Sequence, residues 1–123
     1  MRKTYGEREY SEACRLSSLV FDDKINKDDA ILELTEFGIN KTSANDFINI
    51  YVSLVEGKSF LRGTSVAAMQ HFIDFITQKH GLSILGNVIN ALKCFIDRQN
   101  SSMISMNIFL ESLEKKYHTF LSK

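Results

Sequence analysis

Apolar residues return every third or fourth position along almost the whole chain, the signature of helices that each bury one side. Tyr10, Ala13, Cys14, Leu16, Leu19 and Val20 predict a first helix from about Glu7 to Phe21. After the polar link Asp22-Asp23-Lys24, Asn26 is placed to cap a second helix, with Asp29 three residues on as a capping-box variant. That helix uses Ala30, Ile31, Leu34 and Phe37, and Gly38 stops it, because glycine takes the left-handed conformation at least cost. Asn40 or Thr42 caps a third helix, whose inner face is Ala44, Phe47, Ile48, Tyr51, Leu54 and Val55 and which Gly57 ends. Thr64 or Ser65 caps a fourth, running to Gly81 on Val66, Met69, Phe72, Ile73 and Ile76. Ser83 is expected to cap a fifth, with Leu85, Val88, Ile89, Leu92, Phe95 and Ile96 inward. Asn100-Ser101-Ser102 reads as a break before a sixth helix from about Ser105 to Leu121. The chain shows no internal repeat and no strand-like alternation of useful length. The expected fold is therefore all-α: a compact bundle of five to six helices forming a single domain over residues 1–123.

Two stretches stand out from this background. From Glu36 to Ile48 the pattern is helix, short turn, helix, the layout of a helix-turn-helix. The second helix opens on the polar run Asn40, Lys41, Thr42, Ser43 and Asn45, and Lys58 and Arg62 follow in the next turn. These seven are the candidate nucleic-acid-binding residues. Lys41 and Arg62 suit phosphates, and the Asn45 amide suits a base edge. Two considerations oppose this: the polar run equally well caps and solvates a helix start, and Glu33, Glu36 and Asp46 would repel phosphates. The second stretch is the last helix, where Met106, Leu110, Leu113, Tyr117 and Phe120 alternate steps of four and three. This stripe either packs on the domain or forms the seam of a homodimer.

Composition narrows the alternatives. The chain has 123 residues, 44% of them hydrophobic, with nine Phe and no proline to interrupt helices. Lys+Arg and Asp+Glu number 15 each, so there is no global pull toward nucleic acid or an anionic membrane. The distribution is uneven, however: an acidic stretch from Asp22 to Glu56 precedes a mildly basic one from Gly57 to Asn100. Cys14 and Cys94 lie inside helical patterns and read as buried free thiols of a reducing, cytoplasmic setting. The first residues lack the apolar run of a signal peptide, and no apolar run approaches the length of a membrane span.

Chemistry is sparse. His71, His80 and His118 share no i, i+4 spacing with one another or with either cysteine, so no metal site is expected. Asp22, Lys24, Asn26, Asp28 and Glu33 stand at the ligand positions of a calcium loop, but one of them is a lysine, and Lys27 replaces the glycine that makes the sharp turn. The chain has neither a phosphate-binding glycine loop nor a GxSxG elbow. No cofactor and no catalytic constellation is read from it, and the expectation is a protein that is not an enzyme.

Three segments carry a family resemblance: Asn26-Lys27-Asp28-Asp29-Ala30, Gly38 to Ile48, and Leu54-Val55-Glu56-Gly57-Lys58-Ser59-Phe60-Leu61-Arg62-Gly63-Thr64. Together with Phe72-Ile73, Gly81, Leu85, Val88, Ala91-Leu92 and Phe95-Ile96, they resemble the small helical domain that precedes the nuclease in some HNH-type restriction endonucleases. The resemblance covers residues 7–98 and leaves 103–121 as a C-terminal helix. It implies an accessory module of a restriction or defence system that helps to target DNA or to assemble the enzyme. The family's nuclease part would follow this region, and here only Asn100 to Lys123 follows, with no His-Asn-His arrangement to hold a metal. Turn layout and resemblance together point first to DNA; the alternative is a protein partner, in assembly or inhibition of such a system.

Overall fold

The computed structural model describes residues 5–60, 64–98 and 104–117, the side chains of residues 104 and 105 excepted. The described residues form six α-helices: α1 (Glu7–Phe21), α2 (Lys27–Phe37), α3 (Lys41–Glu56), α4 (Val66–His80), α5 (Leu85–Asp97) and α6 (Ile104–Lys116). Among the described residues there is no strand. The all-α bundle expected from the periodicity is the observed fold.

Local signals set most of the helix ends. Glu9 reaches back so that its Oε1 accepts from the Gly6 N–H at 2.7 Å. Asn26 Oδ1 accepts from the Asp29 N–H at 2.8 Å. Gly38 closes α2 with φ 114°, and the Ile39 N–H then donates to the Leu34 carbonyl at 3.0 Å, the six-residue closure of a Schellman turn. Asn40, rather than Thr42, caps α3, its Oδ1 accepting from the Ser43 N–H at 2.8 Å. Ser65, rather than Thr64, caps α4 through Ala68. Ser83 does not cap α5. A 3₁₀ turn over Leu82–Ile84 feeds directly into that helix, with the Ile84 N–H donating to the Gly81 carbonyl at 3.3 Å. A backbone turn thus satisfies groups that the side chain was expected to serve. The Asn100–Ser102 break and the end of the last helix beyond Tyr117 lie outside the described residues.

α3 is the central element, packed against α1, α2, α4 and α5. Its inward face is Ala44, Phe47, Ile48, Ile50, Tyr51, Leu54 and Val55, all buried. Phe47 anchors an aromatic cluster, with Tyr5, Tyr10 and Phe72 each edge-on to its ring at centroid distances of 5.5–6.1 Å. Ile73 and Leu92 are buried as the periodicity predicts. Ile39 and Phe60 also enter the core, although both sit in connections. The Phe60 ring stacks on Phe95 at 4.4 Å.

The far end of α3 is held from a distance. Asn87 and Asn90 of α5 donate from Nδ2 to the carbonyls of Val55 (2.9 Å) and Gly57 (2.8 Å). Gly57 has φ 75°, and a Cβ there would come within 3.2 Å of Asn87, so this crossing needs glycine twice over. α6 lies on α5 and α4, with Met106, Phe109, Leu110 and Leu113 buried and Tyr117 partly so. The apolar stripe of the last helix is thus taken up by the chain itself; its final member, Phe120, lies outside the described residues. Cys14 is buried and Cys94 half-buried, both as free thiols. No described helix is long and apolar enough to cross a membrane.

Candidate functional site

The side of α3 opposite its fully buried stripe is Asn45, Asn49, Val52 and Ser53, at helical spacing. It forms the floor of a cavity of about 530 Å³, within the usual range for ligand sites. The polar lining is Lys27 at the start of α2, Asn45, Asp46, Asn49 and Ser53 from α3, and Ser59 from the segment after it. Val20 of α1, Ile48, Val52 and Phe60 make the apolar wall. Lys27 spans the rim, donating from Nζ to Asn49 Oδ1 at 2.7 Å. The Ser59 hydroxyl is buried and finds no hydrogen-bond partner among the described residues. Asp46 takes part in none of the ion pairs among them.

The residues proposed from sequence divide into two groups. Asn40, Lys41, Thr42, Ser43 and Asn45 lie together on the first turns of α3. Asn40 is occupied as the cap, and its own N–H donates to the Tyr5 hydroxyl at 2.9 Å. Lys41 and Thr42 are exposed, Ser43 is half-buried and Asn45 lines the cavity. Lys58 is at the other end. α3 is 16 residues long, roughly 24 Å at 1.5 Å per residue, and separates Lys58 from Lys41. Lys58 lies 3.6 Å from Glu56. Arg62 lies outside the described residues. Two other bases of the second half are paired on different elements: Lys79 of α4 with Asp22 at 3.4 Å, and Lys93 of α5 with Glu114 of α6 at 3.4 Å.

Sequence reasoning missed Lys27, Asn49, Ser53, Ser59 and the apolar wall. One signal was available, since Asn45, Asn49, Val52 and Ser53 form a stripe opposite the apolar face. The approach of Lys27 and Ser59 to that stripe is set by helix packing and has no local signature.

Other reactive groups are structurally engaged. Ser11 Oγ and His71 Nε2 lie 3.1 Å apart and tie α1 to α4 at the surface, beside the Tyr10 ring. Burial pushes the Cys14 thiol up to about 12, so at neutral pH it is protonated and a poor nucleophile. Burial likewise raises Tyr51, with Cys14 and Asp22 adding to the effect. Glu12 is held below the ordinary carboxylate range by its paired hydrogen bonds from Arg15, at 2.9 and 2.7 Å. Among the described residues, no group of three or more His, Cys, Asp or Glu could hold a metal ion.

Comparison with protein-family models, with curated proteins and with solved structures finds no match to this chain.

Proposed function

We propose that the chain is a non-catalytic helical module that binds a protein partner through the open side of α3. What carries this reading is the position of that helix. A helix that reads DNA must stand proud enough to enter a major groove about 12 Å wide. α3 is instead the hub of the bundle, with four helices around it, and its open side is concave. The charges agree. Residues 22–56, which supply most of the groove, carry eight acids and three bases, a net charge of −5. A segment of that charge opposes the phosphate contacts that give DNA-binding proteins much of their affinity. Lys79 and Lys93 are engaged in ion pairs on separate elements rather than joining Lys41 in one basic face. The setting, a restriction- or defence-type system, rests on the sequence resemblance alone.

DNA is the second reading, favoured by the exposed Lys41 and Thr42 at the tip of α3. A titration against salt separates the two, using plain and cytosine-modified duplexes and single strands. Binding is expected to be absent or feeble even at low salt, where electrostatic attraction is strongest. Tight binding that falls steeply with salt, and loses about one unit of salt slope on Lys41→Ala, would overturn the protein-partner reading.

A further inference from the structure

Taking the protein-partner reading as its premise, we infer that the α3 groove recognises a short basic segment of the partner, a Lys or Arg beside an aliphatic side chain. Three observations fit this occupant together. The first is charge. Asp46 lines the cavity with no ion-pair partner among the described residues, inside a stretch of net charge −5. The one lysine of the lining, Lys27, is held on Asn49. A cation on the partner would give Asp46 the pair it lacks among the described residues, and complementarity of this kind sets specificity and association rate.

The second is shape. Val20, Ile48, Val52 and Phe60 give the cavity an apolar wall. One face of Phe60 is taken by Phe95, which fixes the ring. A volume of about 530 Å³ accepts a pair of side chains and the backbone between them, not the flat face of a folded domain.

The third is the hydrogen-bonding inventory. Asn45 offers both a donor and an acceptor, the complement of a peptide amide. Asn49 uses its oxygen on Lys27 and so has its amide N–H groups left for a partner carbonyl. A nucleobase would match the amides equally well, but its phosphates would meet the Asp46 carboxylate.

The test is selection of a random displayed peptide library on the full chain, followed by titration of the enriched peptides against variants. Enriched peptides should carry Lys or Arg next to Leu, Ile, Val or Met. Their binding should weaken with salt, and about tenfold on Asp46→Asn. Asp46→Lys, reselected on the same library, should prefer acidic peptides. Circular dichroism melts of both variants confirm that the helices persist. Peptides that bind the wild type but ignore both Asp46 variants would overturn this inference and leave the protein-module reading standing. Enrichment of acidic or neutral peptides by the wild-type chain would do the same. If no peptide is enriched, the inference fails; if duplex DNA also binds steeply with salt, both readings fail.

Discussion

The two sides of α3 obey different rules. The inner side, Ala44, Phe47, Ile48, Tyr51, Leu54 and Val55, is apolar, close-packed and almost wholly removed from water. The outer side, Asn45, Asn49, Val52 and Ser53, lines a cavity and keeps hydrogen-bonding groups exposed to it. Five consecutive residues show both: Asn45, Asp46 and Asn49 line the cavity, Phe47 is buried in the core, and Ile48 is a core residue that also reaches the cavity wall. The lesson is a division of labour on a single helix: hydrophobic burial on one side holds the scaffold rigid, so that the other side can offer a fixed set of polar groups.

The sharpest way to break that division is to truncate the inner side. Phe47→Ala should cost about 3–5 kcal/mol, because lost burial and a residual cavity add. Phe47 is only 5% exposed and holds three aromatic neighbours edge-on. An unchanged denaturant midpoint would mean that the inner side is not the scaffold. A second probe uses pH. Cys14, fully buried, has its thiol raised from an ordinary 9.0 to about 12. A raised pKa means that stability is complete below about pH 9 and declines as pH climbs toward 12, by at most about 4 kcal/mol. Burial of Tyr51 acts in the same direction. Denaturant midpoints at pH 8, 10 and 11 should fall in order, and Cys14→Ala should flatten the decline. A midpoint that rises with pH would contradict the buried thiol.

Smaller effects test the entry into α3. Gly38→Ala should destabilise by about 1–2 kcal/mol, since a Cβ is strained at φ 114°. A neutral result would show that the turn before α3 tolerates another geometry. On the outer side, Asn45→Ala should change stability by less than about 0.5 kcal/mol in a thermal melt. A loss approaching that of Phe47→Ala would erase the contrast and make the groove a structural site.

What was legible in the sequence follows from how far each signal reaches. Asn26, Gly38 and Gly57 act within a few residues, so their roles as cap and stops could be read directly, whereas Asn40 was one of two candidate caps for α3. The inner stripe of α3 repeats at the helical period and was equally plain. Ser83 was misread because two local solutions compete at a helix start, and the 3₁₀ turn satisfies the backbone without a side chain. The groove was legible only in part. Asn45 was visible, but Lys27 and Ser59 stand 18 and 14 residues from it in the chain and reach it by packing. Lys58 was grouped with Lys41 on their shared chemistry, while the straight run of α3 holds them apart.

One feature of the helix's far end bears on how the domain forms. Two carbonyls at the end of α3, those of Val55 and Gly57, are satisfied by amides more than thirty residues downstream. The last turn of α3 therefore gains its partners only when α5 has docked. Closing that link brings together segments more than thirty residues apart in the chain, which makes it a late, non-local step in assembly. It also makes the two segments one opening unit: in native-state hydrogen exchange, amides at the end of α3 and those of α5 should open together, with the same dependence on denaturant.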